Sequence, residues 1–400
     1  MRYAALALVL AGCLAFSNQA RVAVAAAAPA AGPTFTRDVA PILFNNCASC
    51  HRTGEMAPMP LTSFDEVRPW AKAIRKAVTS REMPPWGADP GHSEFANDPS
   101  LSAAQIKTTA DWVDAGATEG DRKDLPALPK FTDSWKIGTP DVVLSMPSVY
   151  DIPSGGPRIL QDFPIETTFA EDKYIEVAEV IPGKRSHTHH AIVSVNDGSG
   201  SSRVASYLPG GPTSPLPKGV VKLIPKGAAI NLNMHYNPTG VAAKDGDTKI
   251  GFRFAKGPVE KVAITAITGT RALEIPAGAP NYEAIGNPYV FKEDSHIISF
   301  LPRMNERGKD FTYTLVLPDG TRTVVLKVSK FDDVWQPSYL LKTAIAAPKG
   351  SRLESVAHYD NSAGNKRNPD PTKLIKYGPE IMNGYFDFTV DKQSLTVANR

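Results

Sequence analysis

The sequence predicts a multidomain protein, a small all-α domain followed by two all-β sandwich domains, on three observations. Apolar residues recur at helical spacing on both sides of a single Cys47-Ala48-Ser49-Cys50-His51 run. Beyond residue 130 the chain reads as short segments of alternating apolar and polar residues, such as Tyr174–Ile181, separated by turns. The 35 prolines and 30 glycines are spread along all 400 residues, a density of chain breakers that leaves little room for long helices. The roughly 270 residues after the helical part exceed one small sandwich, so two in tandem are expected, spanning 131–261 and 262–400.

The chain opens Met1-Arg2-Tyr3 and runs apolar from Ala4 to Phe16, a signal sequence too short to span a membrane as a mature helix. Export to the periplasm follows. Leu10-Ala11-Gly12-Cys13 has the form of a lipobox, which would make Cys13 a lipid anchor, while Ala23-Val24-Ala25 offers an ordinary cleavage site. A lipoprotein-anchored form and a soluble periplasmic form therefore both stay open. Residues 1–33 are signal peptide plus an Ala/Pro/Gly spacer. A net charge of +3, without a clustered basic stripe, excludes nucleic acid as a partner.

From Phe35 to Asn46, Val39, Ile42 and Leu43 define a helix that leads into C-x-x-C-H. That motif reads as covalent haem attachment: Cys47 and Cys50 form thioethers and His51 takes one axial position on iron. A thioredoxin-like dithiol gives the following histidine no role, and a zinc site needs a second cysteine pair. Of the three cysteines the remaining one is Cys13, so the mature chain has no disulfide. A second helical stretch, Phe64–Ser80, precedes Met83-Pro84-Pro85-Trp86. Met83 is the expected sixth ligand, since prolines stiffen its loop and a helix separates it from the motif; Met56 and Met59 lie too close to reach the opposite haem face. A closing helix over Ser102–Ala117 carries Ile106, Ala110, Trp112 and Val113. Together, Thr34 to Lys123 resembles a single-haem class I cytochrome c.

After a proline-spaced linker, Asp124–Lys130, the strands begin. Tyr313–Leu317 and Thr323–Val328 flank Pro318-Asp319-Gly320-Thr321, a hairpin signal. Of eight histidines, four fall in two strand-like segments, at His187, His189 and His190 and at His235. Three imidazoles without a cysteine suit copper or zinc. Period two selects His187 and His189, which share a strand face, unless a bulge brings His189 and His190 together.

Trp135-Lys136-Ile137-Gly138-Thr139-Pro140-Asp141, His189-His190-Ala191-Ile192, His235-Tyr236-Asn237-Pro238-Thr239-Gly240, Val334-Trp335-Gln336-Pro337-Ser338-Tyr339, Tyr359-Asp360-Asn361-Ser362-Ala363 and Asn368-Pro369-Asp370-Pro371 resemble, in combination, the bacterial cytochrome c-fused branch of the type II copper, ascorbate-dependent monooxygenases. Peptidylglycine α-hydroxylating monooxygenase and dopamine β-monooxygenase belong to that family. The resemblance implies two jelly-roll-like sandwiches, each with one copper. It assigns the electron-transfer copper to His189, His190 and His235 and leaves His187 a neighbour. The oxygen-activating copper departs from the pattern: Arg303 and Asn305 stand for two histidines and Ile381 for a methionine, with Met382 one residue along. Arg303 offers no lone pair and repels a cation. His296, Met304 and His358 do not rebuild the ligand set.

The expected cofactors are one covalent haem c and one copper. The expected function is electron transfer with a donor or acceptor protein or a small reductant. An active monooxygenase with a non-standard or single copper, acting on a small-molecule substrate, is the alternative. A ligand-binding or redox-sensing module without turnover is the third.

Overall fold

The computed structural model describes residues 32–132, 134–167, 169–196, 201–211, 216–376 and 382–394. The leader with Cys13, and Ile381, lie outside the described residues. Pro33–Arg400 form one compact unit.

Strand makes up 39% of the structure and helix 13%, so the chain is predominantly β. The expected all-α class I cytochrome c domain at 34–123 is not found. Its α-helices, Ala40–Asn46, Phe64–Val67, Ala71–Thr79 and Ala103–Asp114, are short, the longest having 12 residues. The last begins with a capping box in which Ser102 and Gln105 satisfy each other's backbone N–H groups. Phe35, Leu43, Val67 and Trp112 share a small core, but the stretch between the last two helices belongs elsewhere. Pro84, Pro85, Pro90 and Pro99 bar it from a helix, and it pairs instead with the C-terminal strands. Asp89 N donates to Lys327 O at 2.8 Å, Ala96 N to Leu340 O at 2.7 Å and Lys342 N to Glu94 O at 3.0 Å. Trp86 and Phe95 pack edge-on against Tyr339, with centroids 4.8 and 5.5 Å away. Helical periodicity located the helices but could not show that the segment joining them completes a β core.

One eight-stranded sheet carries the rest. Its strands, in order across the sheet, are Val142–Ser145, Lys249–Phe254, Lys173–Ile181, Val220–Ile224, Lys261–Thr270, Met382–Asp391, Ser295–Arg303 and Tyr339–Ala347. The first four share a core with a four-stranded sheet made of Ile159–Ile165, Ala229–Tyr236, Thr188–Asn196 and Ser201–Tyr207, burying Phe163, Val193, Leu232 and Phe252. The last four share a core with Tyr282–Ile285, Arg352–Tyr359, Gly308–Val316 and Arg322–Val328, burying Phe300, Phe311, Tyr313 and Phe386. Each fully buried phenylalanine contributes about 1.5–3 kcal/mol. The expected hairpin forms between Gly308–Val316 and Arg322–Val328, and Gly320 takes the positive φ, 88°, that its turn needs. At Lys261, where the sequence suggested a boundary, the sheet does not break: Lys261 and Val262 pair in parallel with Val220 and Val221. The two sandwiches thus meet along a continuous sheet, and the candidate site lies at that seam.

Candidate functional site

His235 sits on the strand Ala229–Tyr236, whose Ile230, Leu232, Met234 and Tyr236 point into the N-terminal core. Period two therefore turns His235 to the other face. On the neighbouring strand Thr188 pairs with Tyr236, yet it is His190 that pairs with His235. One extra residue is inserted at His189, a β-bulge, which lets two adjacent imidazoles serve one site. Nδ1 of His189 lies 2.8 Å from Nδ1 of His190, and the His190 and His235 ring centroids are 3.8 Å apart. A ring nitrogen from each of the three falls within 4.8 Å of the others.

The bulge overturns the period-two choice of His187. Its Nδ1 meets Ser186 Oγ at 3.0 Å, while Nε2 meets the Val241 carbonyl at 3.0 Å and the Thr239 hydroxyl at 2.9 Å. With both nitrogens committed, His187 holds the loop after His235 and is no ligand.

Burial pushes His189 down to about 4 and His235 down to about 3, and holds His190 well below the usual imidazole range. The next cause is a guanidinium, Arg158 for His189 and Arg303 for the other two. All three are neutral at pH 7 and keep a lone pair. Arg303 is itself buried, burial brings it down to about 10, and its Nη2 lies 2.6 Å from His190 Nε2. A guanidinium only donates, so His190 Nε2 accepts, its proton sits on Nδ1, and that N–H donates to His189 Nδ1. The His189 proton is then on Nε2, which is buried beside the Val334 backbone.

This donor set suits copper or zinc. Bonds of about 2.0–2.1 Å set ligand nitrogens about 2.9–4 Å apart, so the 2.8 Å pair is close to ligand spacing. His190 would hold a metal through Nδ1, which would leave its proton on Nε2, facing the Arg303 N–H. The residues fit a metal once Arg303 turns away from His190.

No second cluster of metal-ligating histidine, cysteine or carboxylate groups occurs among the described residues. Met304 and Met382 are 1% and 0% exposed, packed in the C-terminal core. Asn305 accepts Gly308 N–H in a turn. His296 is exposed, seven residues from Arg303 on one strand and hence about 23 Å away. His358 is paired with Asp310 at 2.7 Å.

The C-x-x-C-H run forms a turn at the end of Ala40–Asn46, with His51 N donating to Cys47 O at 2.9 Å. Burial raises the Cys47 thiol to about 12 and also raises Cys50. His51 Nδ1 is 3.1 Å from the Met59 carbonyl, so its N–H is held there and Nε2 keeps the lone pair. Met59 thus acts through its backbone. Met56 is half-buried in the same loop. Met83 is 42% exposed and lines a cavity of about 640 Å³ with Val78, Leu101 and Ile106; His51 is not among its lining residues.

No family model matches the sequence, and no curated protein matches it. Among solved structures, a protein of Eubacterium rectale described as secreted is 9% identical, with 58% of this chain and 69% of that chain covered and a TM-score of 0.21. The VP2 subviral particle of infectious bursal disease virus is 6% identical, covering 61% and 74%, with a TM-score of 0.22. A variant of Bacillus subtilis oxalate decarboxylase is 8% identical, covering 65% and 82%, with a TM-score of 0.13. Likenesses this low carry no argument about fold or function.

The structure adds a contact that the sequence did not suggest. Cys50 Sγ donates to the Pro209 carbonyl at 3.4 Å, and Gly210, with φ of 66°, approaches so closely that a Cβ would fall 1.9 Å from that sulfur. Two residues back, Tyr207 pairs in register with Ala191, next to His190. Tyr207 lines a cavity of about 280 Å³ beside Ser49 and a second, of about 30 Å³, beside His190 and Arg303. Its hydroxyl is buried without a partner. Buried Glu55 ties the turn down further, accepting from Arg52 at 2.5 Å and from Arg185, close to the histidines in sequence, at 3.3 Å. The one signal in the sequence was Pro209-Gly210-Gly211, which announces a turn and not what docks on it.

Proposed function

We propose that this chain is an exported electron-transfer protein that binds haem through Cys47, Cys50 and His51 and copper through His189, His190 and His235. In this reading it is similar to the cytochrome-fused copper monooxygenases, keeping their electron-transfer copper and lacking the oxygen-activating one. The observation that carries it is the seating of the C-x-x-C-H turn on the Pro209–Gly210 loop, which follows the strand, Ser201–Tyr207, that pairs with the strand bearing His189 and His190. A bound haem and a bound copper would each supply a one-electron couple.

The chain's own atoms provide the connection. Haem attachment at Cys50 would consume the thiol hydrogen that the Pro209 carbonyl accepts, so the connection would start at the close approach of Gly210 to that sulfur, follow three peptide links to Tyr207, and cross the antiparallel ladder to Ala191 beside His190. Met59 orients His51 through its carbonyl, so that His51 would hold the haem iron; Met83, 42% exposed in a cavity that His51 does not line, would have to move to join it as a second ligand. Arg303 and Asn305, where the family has histidines, favour electron transfer over hydroxylation. The partner is a redox protein or small reductant, and the leader makes the periplasm the compartment. Cys13→Ser should release the protein from the membrane fraction if Cys13 is lipidated; an unchanged distribution removes the anchor.

Iron and copper should each be found at one per chain in protein matured with haem. Pre-reduced haem should then be reoxidised when copper(II) is added, at a rate independent of protein concentration, while the copper(II) electron paramagnetic signal disappears. Absence of copper binding, or equal reoxidation with zinc in its place, overturns the reading.

A further inference from the structure

A further cavity, of about 630 Å³, opens at the seam between the two sandwiches, away from the three histidines. Its volume lies within the range of small-molecule sites, which favour domain interfaces. Val177, Val204, Leu216, Ile298, Leu340 and Leu341 supply apolar wall. Arg203, Lys222 and Asp387 line it as well, and these three form a buried ionic cluster, with side chains 11%, 6% and 8% exposed.

The cluster does not balance. Both oxygens of Asp387 are saturated: Oδ1 accepts from Lys222 at 2.8 Å and Thr265 at 2.6 Å, Oδ2 from Arg203 at 2.8 Å and Ser299 at 2.9 Å. Lys222 has spent its three N–H groups, since Nζ also donates to Arg203 O at 2.6 Å and to Thr265 Oγ1 at 2.9 Å. Arg203 has not: Nη1 donates to Ser338 at 2.9 Å and Nη2 to Asp387, which leaves one N–H on each Nη uncommitted and Nε buried without a partner. Two cations therefore face one carboxylate. At the rim Lys342 pairs with Glu94 at 3.4 Å and Asp98 is exposed to solvent, so neither reaches the two cations buried at the floor. A buried unmatched charge costs several kcal/mol, and a charge-assisted bidentate pair with a carboxylate is what a guanidinium is shaped to make.

We propose that this cavity binds an organic monocarboxylate with an apolar body, its carboxylate on Arg203 and its hydrocarbon along Ile298, Leu340 and Val177. One negative charge closes the cluster, whereas an amine would add to the surplus and an alcohol would leave it. The site is independent of the haem and copper reading.

Calorimetric titration of the full chain with straight-chain carboxylates of four to ten carbons tests it, with the matching alcohols and amines alongside. Carboxylates should bind at one site, about fourfold tighter per added methylene until the cavity is filled, and alcohols and amines at least tenfold more weakly. Arg203→Gln should abolish the preference for carboxylate. Ile298→Phe, which narrows the wall without touching the charges, should weaken the longer chains most; it decides the matter alone if Arg203→Gln does not fold. Equal binding of carboxylate and alcohol, no binding of either, or unchanged titrations in Ile298→Phe overturns the proposal.

Discussion

The N-terminal and C-terminal sandwiches bring opposite chemistry to the same seam. On one side a bulged strand presents His189 and His190 to His235, three neutral rings with lone pairs. On the other, Ser295–Arg303 ends in a guanidinium that donates to one of those rings, and the nearby sulfurs of Met304 and Met382 are enclosed in hydrophobic core. Both sides are buried, so burial alone does not make a candidate metal site. What differs is whether the buried groups keep unshared electron pairs, and one Arg–His contact couples the two sides.

The largest effect expected from that contrast is on copper. His190→Ala or His235→Ala should weaken copper binding at least about 100-fold, because two imidazoles hold the ion far less well than three. His187→Ala should leave affinity within about threefold while lowering stability by about 1–3 kcal/mol, since it removes a ring bonded to Ser186, Thr239 and Val241. Competitive titration against a chelator and urea unfolding separate the two; copper lost equally in all three variants would abolish the assignment.

Acid should distinguish the sides next. In the metal-free fold His189 titrates at about 4 and His235 at about 3, below the unfolded value of about 6.5. Between those limits the unfolded chain binds more protons, so stability is full above about pH 6.5 and is lost as pH falls toward 4 and then 3. At pH 5 the loss should be on the order of 2 kcal/mol per imidazole. Urea midpoints at pH 7 and 5 should diverge in the wild type and much less in a His189→Gln, His190→Gln, His235→Gln variant. Equal divergence would place the acid sensitivity elsewhere.

Arg303→Met then asks how much the C-terminal side restrains the N-terminal one. Removing the guanidinium frees His190 Nε2 and takes a positive charge away from the imidazoles. Copper affinity should rise about tenfold, equivalent to about 1.4 kcal/mol, with His187→Ala in the same background changing nothing further. A decrease would mean that Arg303 supports the ligand geometry rather than opposing it.

These residues also mark how far the sequence could be read. The hairpin around Pro318-Asp319-Gly320 was legible because turn chemistry and alternation are local, and the closing helix because Ile106, Ala110, Trp112 and Val113 recur at helical spacing. The His189–His190 pair was legible only through resemblance: alternation favoured His187, and a bulge is a property of two paired strands that one strand's pattern does not contain. Residues 84–98 were assigned to an all-α domain because they lie between helices, whereas Trp86 and Phe95 find their partner, Tyr339, some 240 residues away. Likewise nothing near Cys50 indicated Pro209 or Tyr207. Contacts of that separation depend on the assembled fold.

The smallest expected effect compares two glycines on either side of the C-x-x-C-H contact. Gly54 and Gly210 both hold positive φ, 90° and 66°, so alanine at either costs left-handed strain of about 1 kcal/mol. They differ in what a Cβ meets: nothing within 4 Å at Gly54, but Cys50 Sγ at 1.9 Å and Ser49 Oγ at 3.2 Å at Gly210. Gly210→Ala must therefore also push the C-x-x-C-H turn off its seat, an overpacking cost of about 1 kcal/mol or more beyond Gly54→Ala. In haem-free protein the same substitution should speed alkylation of Cys50, whose sulfur the Pro209–Gly210 segment now covers, while Gly54→Ala leaves it slow. If both variants unfold at the same urea concentration and protect Cys50 equally, the turn does not rest on that segment. The connection between Cys50 and His190 would then have to run through Glu55 and Arg185 instead.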